Sequence, residues 1–69
     1  MNLKNDLTQP EAERLRALCN FTDDERTVFD LRIRGKGVVE ISMACSMSTA
    51  TVHRRLAGIR RKVDRVIEN

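Results

Sequence analysis

Between Val52 and Val63 the chain places apolar residues at Val52, Leu56, Ile59 and Val63, a spacing that lines them up on one stripe over three helical turns. His53, Arg54, Arg55, Arg60, Arg61 and Lys62 fill most of the gaps, so the same segment has no second apolar face. Such a helix must lay its stripe on other helices and keep its cations in water. A chain of 69 residues makes one domain at most and hides only about 60% of the surface its unfolded form exposes. The partners of the stripe therefore have to come from the short segments that precede it.

Those segments read as helices too. Thr8 stands three residues before Glu11, and Pro10 sits where a first turn tolerates a missing N–H, which predicts a helix over residues 10–19 preceded by a flexible stretch, 1–9. Its inward stripe is Ala12, Leu15 and Leu18 or Cys19. Thr22 and Glu25 form a second T-x-x-E capping box, with Asp23 and Asp24 adding negative charge where the helix dipole favours it. The helix it opens, 23–34, presents Val28, Phe29 and Leu31 to a core and stops at Gly35 and Gly37. "VVEISMAC" supplies two turns over 38–45 with Val38, Ile41 and Cys45 inward; "SMS" breaks it, and Ser48 is the N-cap of a last helix over about 49–63. Val66 and Ile67 can carry that helix on into a short apolar patch. No strand-like alternation, internal repeat or low-complexity tract interrupts the pattern. The expected fold is all-α, a small helical bundle of four helices containing a helix-turn-helix, in a single domain over 1–69.

Charge is unevenly placed. Through residue 48 there are seven Lys/Arg against eight Asp/Glu; from residue 49 onward there are six against two. Positive charge gathered at one end suits a polyanion, nucleic acid ahead of an anionic membrane. No apolar run approaches the ~18 residues of a membrane span, and the first ten residues lack the apolar centre of a secretion signal, so a cytoplasmic location is expected. Cys19, Cys45 and His53 have no zinc-ligand spacing, and each cysteine lies among apolar or small neighbours; neither metal nor cofactor is expected. A core this small leaves little room for an enclosed substrate pocket, so the chain is expected to bind and not to be an enzyme. Met43 and Met47 are expected to pack against neighbours.

On a helical wheel of about 100° per residue, Ala50, Arg54, Ala57 and Arg61 lie opposite the stripe, with Gly58 beside them. His53 and Arg60 line one flank; Thr51, Arg55 and Lys62 line the other. A helix enters the major groove of B-DNA, about 12 Å wide, when the side chains at its floor are short or able to bond base edges. Ala50, Ala57 and Gly58 are short. Arg54 carries a planar fork that can bond guanine O6 and N7 together, and the flanking cations suit phosphates.

From Phe21 to Val63 the sequence resembles the helix-turn-helix domain of LuxR-type regulators and the related C-terminal region of bacterial sigma factors. "FTDDERTVFDL" is similar to the family's "LTxxEREVLxL", and "RGKGVVEISMACSMSTATVHRRLAGIRRKV" to its "xGLSxxEIAxxLxISxxTVxxHLxxIxxKL". Gly37 stands where the family has a capping serine, Lys36 where it has leucine, Ser42 where it has alanine, and Arg55 where it often has histidine. The resemblance implies a sequence-specific regulator of transcription that binds double-stranded DNA, with base contacts from His53 and Arg54, and from Thr49 and Ala50 beside them. It implies phosphate contacts from Thr51, with Arg55, Arg60, Arg61 and Lys62 as further candidates. The fourth, dimer-forming helix of LuxR-type domains has no counterpart in the sequence, so a homodimer would have to form through helix one or the Val66–Ile67 patch. Two other readings stay open: a sigma-like module bound to RNA polymerase, or an antagonist that binds another protein partner without reading DNA. Single-stranded RNA is less favoured, because two Phe and no Trp or Tyr leave little surface for stacking bases.

Overall fold

The computed structural model describes residues 7–68 and, among them, four helices and no strand. Helix α1 is Gln9–Leu18, α2 is Asp23–Ile33, α3 is Val38–Cys45 and α4 is Thr49–Glu68. No described helix is long and apolar enough to cross a membrane. Of the N-terminal stretch expected to be flexible, residues 1–6 lie outside the described part. Within the remainder, Leu7 packs against the core and Thr8 caps α1.

Local chemistry sets the helix ends. In α1 the Thr8 hydroxyl accepts from the Glu11 N–H at 3.3 Å while Glu11 Oε1 accepts from the Thr8 N–H at 3.1 Å, closing the capping box. Thr22 and Glu25 repeat the arrangement in α2 at 3.2 and 3.0 Å. At the end of α2, Gly35 takes φ +88°, which lets its N–H reach the Arg32 carbonyl and the Lys36 N–H reach that of Leu31. Gly37, expected to stop α2, instead starts α3. Without a side chain it keeps half of a capping box: its N–H donates to Glu40 Oε1 at 3.0 Å.

The turn between α3 and α4 is Ser46, Met47 and Ser48. Ser46 takes the left-handed conformation, φ 55° and ψ 41°, a position that glycine usually fills. Two bonds brace it. The Met47 N–H donates to the Ser42 carbonyl at 3.0 Å, and the Ser42 hydroxyl donates back to the Met47 carbonyl. Serine at 42 thus locks the turn from inside α3, something alanine there could not do. Ser48 then opens α4, its Oγ accepting from the Thr51 N–H at 3.1 Å.

The core forms where the α4 stripe meets the other three helices. Val52, Leu56, Ile59 and Val63 are all buried, against Val28 and Phe29 of α2, Ile41 of α3 and Ala12 and Leu15 of α1. Phe21 and Phe29 pack with ring centroids 4.9 Å apart. An Arg16–Asp30 ion pair, 2.7 Å, ties α1 to α2. The inward assignments hold with differing depth, and Leu31, Val38 and Cys45 pack against the core from its edge. Cys19 is buried and Leu18 is exposed; Leu31, Val38 and Cys45 are only half-buried. Met47 packs on the core as expected, but Met43, also expected to pack, is 72% exposed beside the open Val39, on the side of α3 opposite buried Ile41. Helix α4 runs five residues past the stripe, taking Val66 and Ile67 with it.

Candidate nucleic-acid interface on α4

The turn delivers α4 with its stripe facing inward, which leaves the opposite side open. Thr49, Ala50, His53, Arg54, Ala57, Arg60, Arg61 and Arg65 are exposed, and none of their side chains forms an ion pair with a described residue. This face is short at Ala50 and Ala57 and cationic at Arg54 and Arg61, the combination a groove floor calls for. Arg65 extends the basic strip by another turn; its place on the wheel, four residues beyond Arg61, was the signal for it.

The first turn of α4 also orders its side chains. The Ser48 hydroxyl donates to Thr51 Oγ1 at 2.9 Å, and the Arg54 guanidinium donates to the same Oγ1 at 3.4 Å. Thr51 is half-buried with its hydroxyl engaged on both sides, while Arg54 itself is exposed.

Three residues assigned to the outer surface belong to the protein's own packing. Lys62, expected at a phosphate, donates to Glu25 Oε1 at 2.5 Å and to the Asn20 carbonyl at 3.4 Å, 37 and 42 residues away in sequence. Arg55, also expected at a phosphate, turns toward Asp24 at 3.7 Å, and its Nε is buried without a hydrogen-bond partner. Gly58, expected to make room for a groove floor, makes room for Glu25: a Cβ there would stand 3.0 Å from Glu25 Oε2. All three lie on the flank of α4 that packs against the start of α2. Locally these acidic residues read only as helix caps, and pairing them with cations of another helix needs the tertiary fold.

Glu25 has the least water around it of any described charged side chain. Burial by itself would raise its carboxyl. The hydrogen bond and charge of Lys62, with the Thr22 backbone N–H and hydroxyl, outweigh that and hold it below the usual carboxylate range. Burial likewise pushes the Cys19 thiol up, only partly offset by the nearby Lys62 charge, so Cys19 is an unreactive core residue. Among the described residues no three His, Cys, Asp or Glu side chains gather where they could hold a metal ion.

No protein-family model, no curated protein and no solved structure matches the chain.

Proposed function

We propose that the protein is a sequence-specific double-stranded DNA-binding regulator of transcription, with the outer face of α4 inserted in the major groove. The observation that carries this reading is the solvent-facing strip His53, Arg54, Ala57, Arg60 and Arg61, small where a groove floor is close and cationic where bases and phosphates are. Arg54 reads a guanine edge, with His53, Thr49 and Ala50 beside it. Arg60, Arg61 and Arg65 meet phosphates, which adds affinity without sequence information. Lys62 and Arg55 leave the phosphate set, because Glu25 and Asp24 hold them.

Selection of preferred duplexes from a random pool, followed by binding to selected and scrambled duplexes over a range of salt, tests the proposal. A recovered consensus, with a preference that Arg54→Ala removes, is the expected result. No retention of any duplex at low ionic strength rejects it. A second reading, a sigma-like or antagonist module docking on RNA polymerase or another protein, draws on the exposed Val39 and Met43 of α3. It predicts that a Val39→Glu, Met43→Glu double variant loses protein binding while α4 variants keep it.

A further inference from the structure

At the start of α4 three side chains spaced three residues apart, Ser48, Thr51 and Arg54, are neighbours on one side of the helix. Ser48 Oγ accepts from the Thr51 N–H at 3.1 Å, and its hydroxyl donates to Thr51 Oγ1 at 2.9 Å. Two bonds to Ser48 and a β-branched side chain leave the Thr51 hydroxyl little freedom. Into that fixed acceptor Arg54 Nη2 donates at 3.4 Å. Arg54 differs in this from Arg60, Arg61 and Arg65, which are also exposed on α4 but donate to no side chain among the described residues.

We propose that Thr51 is a positioning residue, whose hydroxyl holds the Arg54 guanidinium over the N-terminal turn of α4 before any partner arrives. The bond runs backward along the helix toward its start, the end of a groove-bound helix that meets base edges. It uses one of the five guanidinium N–H groups, so others remain for the pair of bonds that guanine O6 and N7 accept. A long exposed arginine gives up much rotamer freedom when it engages a base, and one already held gives up less. At 3.4 Å the bond adds little to folding; its effect is on where the guanidinium waits. That this sharpens recognition of one base pair rests on α4 reading duplex DNA; the positioning itself does not. A threonine that only met a phosphate would act on every duplex alike, with or without Arg54.

Three variants separate the two roles. Thr51→Val keeps the branched shape and the N–H bond to Ser48 but removes the hydroxyl, Thr51→Ser keeps the hydroxyl, and Arg54→Ala removes the group it holds. In the chain free of DNA, nitrogen relaxation of the arginine Nε–H groups by NMR should find Arg54 more ordered than Arg60 and Arg65. Thr51→Val should erase that difference and Thr51→Ser should keep it. On a selected duplex, and on the same duplex changed at the base pair that Arg54 reads, Thr51→Val should lose about three- to tenfold of the discrimination. It should lose nothing further once Arg54→Ala is present. A parent whose Arg54 is no more ordered than Arg60 and Arg65 overturns the proposal, as does a Thr51→Val loss that is equal on all duplexes and undiminished by Arg54→Ala. An Arg54 ordered by Thr51 in a chain that retains no duplex would uphold the positioning while rejecting the DNA reading.

Discussion

Arg54 and Arg55 are neighbours in sequence, as are Arg61 and Lys62, yet in each pair the two cations have different fates. The first of each pair projects from the outer face of α4 and meets no acidic group. The second, about 100° further round the helix, lies on the flank that packs near α2, where Asp24 and Glu25 neutralise it. A run of positive charge is thus two surfaces: one that holds the fold together and one that remains for a partner. Lys62 illustrates the first, a cation that satisfies a nearly buried carboxylate and a backbone carbonyl together.

The sharpest way to break this contrast is to remove Lys62. Lys62→Met leaves the Glu25 carboxylate without its cation and should cost about 2 to 3 kcal/mol in urea unfolding, because a desolvated charge then lacks its partner. A loss under about 1 kcal/mol would place Lys62 with the outer cations. On the other face, Arg54→Ala should leave urea unfolding within about 0.5 kcal/mol of the parent. It should cost about 1 to 3 kcal/mol of discrimination at one base pair of a selected duplex.

Acid probes the inner contact from the carboxylate side. Because the carboxyl of Glu25 lies below its ordinary value of 4.5 when folded, the pair contributes stability above that pH and loses it as pH falls through the lowered value. Melting temperature followed from pH 7 to pH 2 should therefore fall most steeply below about pH 4.5, more gently in Glu25→Gln, which has no carboxyl there to protonate. Thr8 lowers Glu11 in the same direction through its backbone N–H and hydroxyl, so a residual acid limb should persist in that variant.

Arg55→Ala sharpens the comparison at smaller scale. Its partner Asp24 is well exposed, so the change should cost less than about 1 kcal/mol of stability, and it should leave the salt dependence of duplex binding as it was. Arg61→Ala should do the converse: stability within about 0.5 kcal/mol of the parent, and a salt slope reduced by about one unit on every duplex. If both variants flatten the slope equally, Arg55 leaves Asp24 to meet a phosphate and the division of α4 fails.

Most of the architecture was legible because it rests on local chemistry. The two T-x-x-E boxes, Pro10, Gly35 and Ser48 mark helix ends through bonds made within four residues, and the four-residue stripe of α4 states its own inward face. Local signals were silent or misleading where they compete. Leu18 and Cys19 both fitted the α1 stripe, and the choice between them is made by packing: Cys19 is buried and Leu18 is exposed. Gly37 followed a glycine that ends a helix and was read as part of the same stop, although its extended φ of −81° belongs to the start of α3.

The candidate site divides in the same way. Periodicity alone separated the outer side of α4 from its stripe, and the exposure of His53, Arg54, Ala57 and Arg61 follows from that. The fate of the flanks lay beyond periodicity, since a residue 90° from the stripe is in water or in a contact depending on what stands beside it. Lys62 and Arg55 fall in that zone, and Gly58 lies between it and the outer face.

The order and ends of the helices, and the stripe that pulls them together, are written in the chain, because hydrogen-bond caps and 3.6-residue periodicity act between near neighbours. Which cations are consumed by the fold, and that Leu18 and Ile67 share one open groove, depended on α4 crossing segments roughly thirty to fifty residues earlier. Such contacts are set by how the helices pack around Phe29 and Ile59, and no short-range signal encodes them.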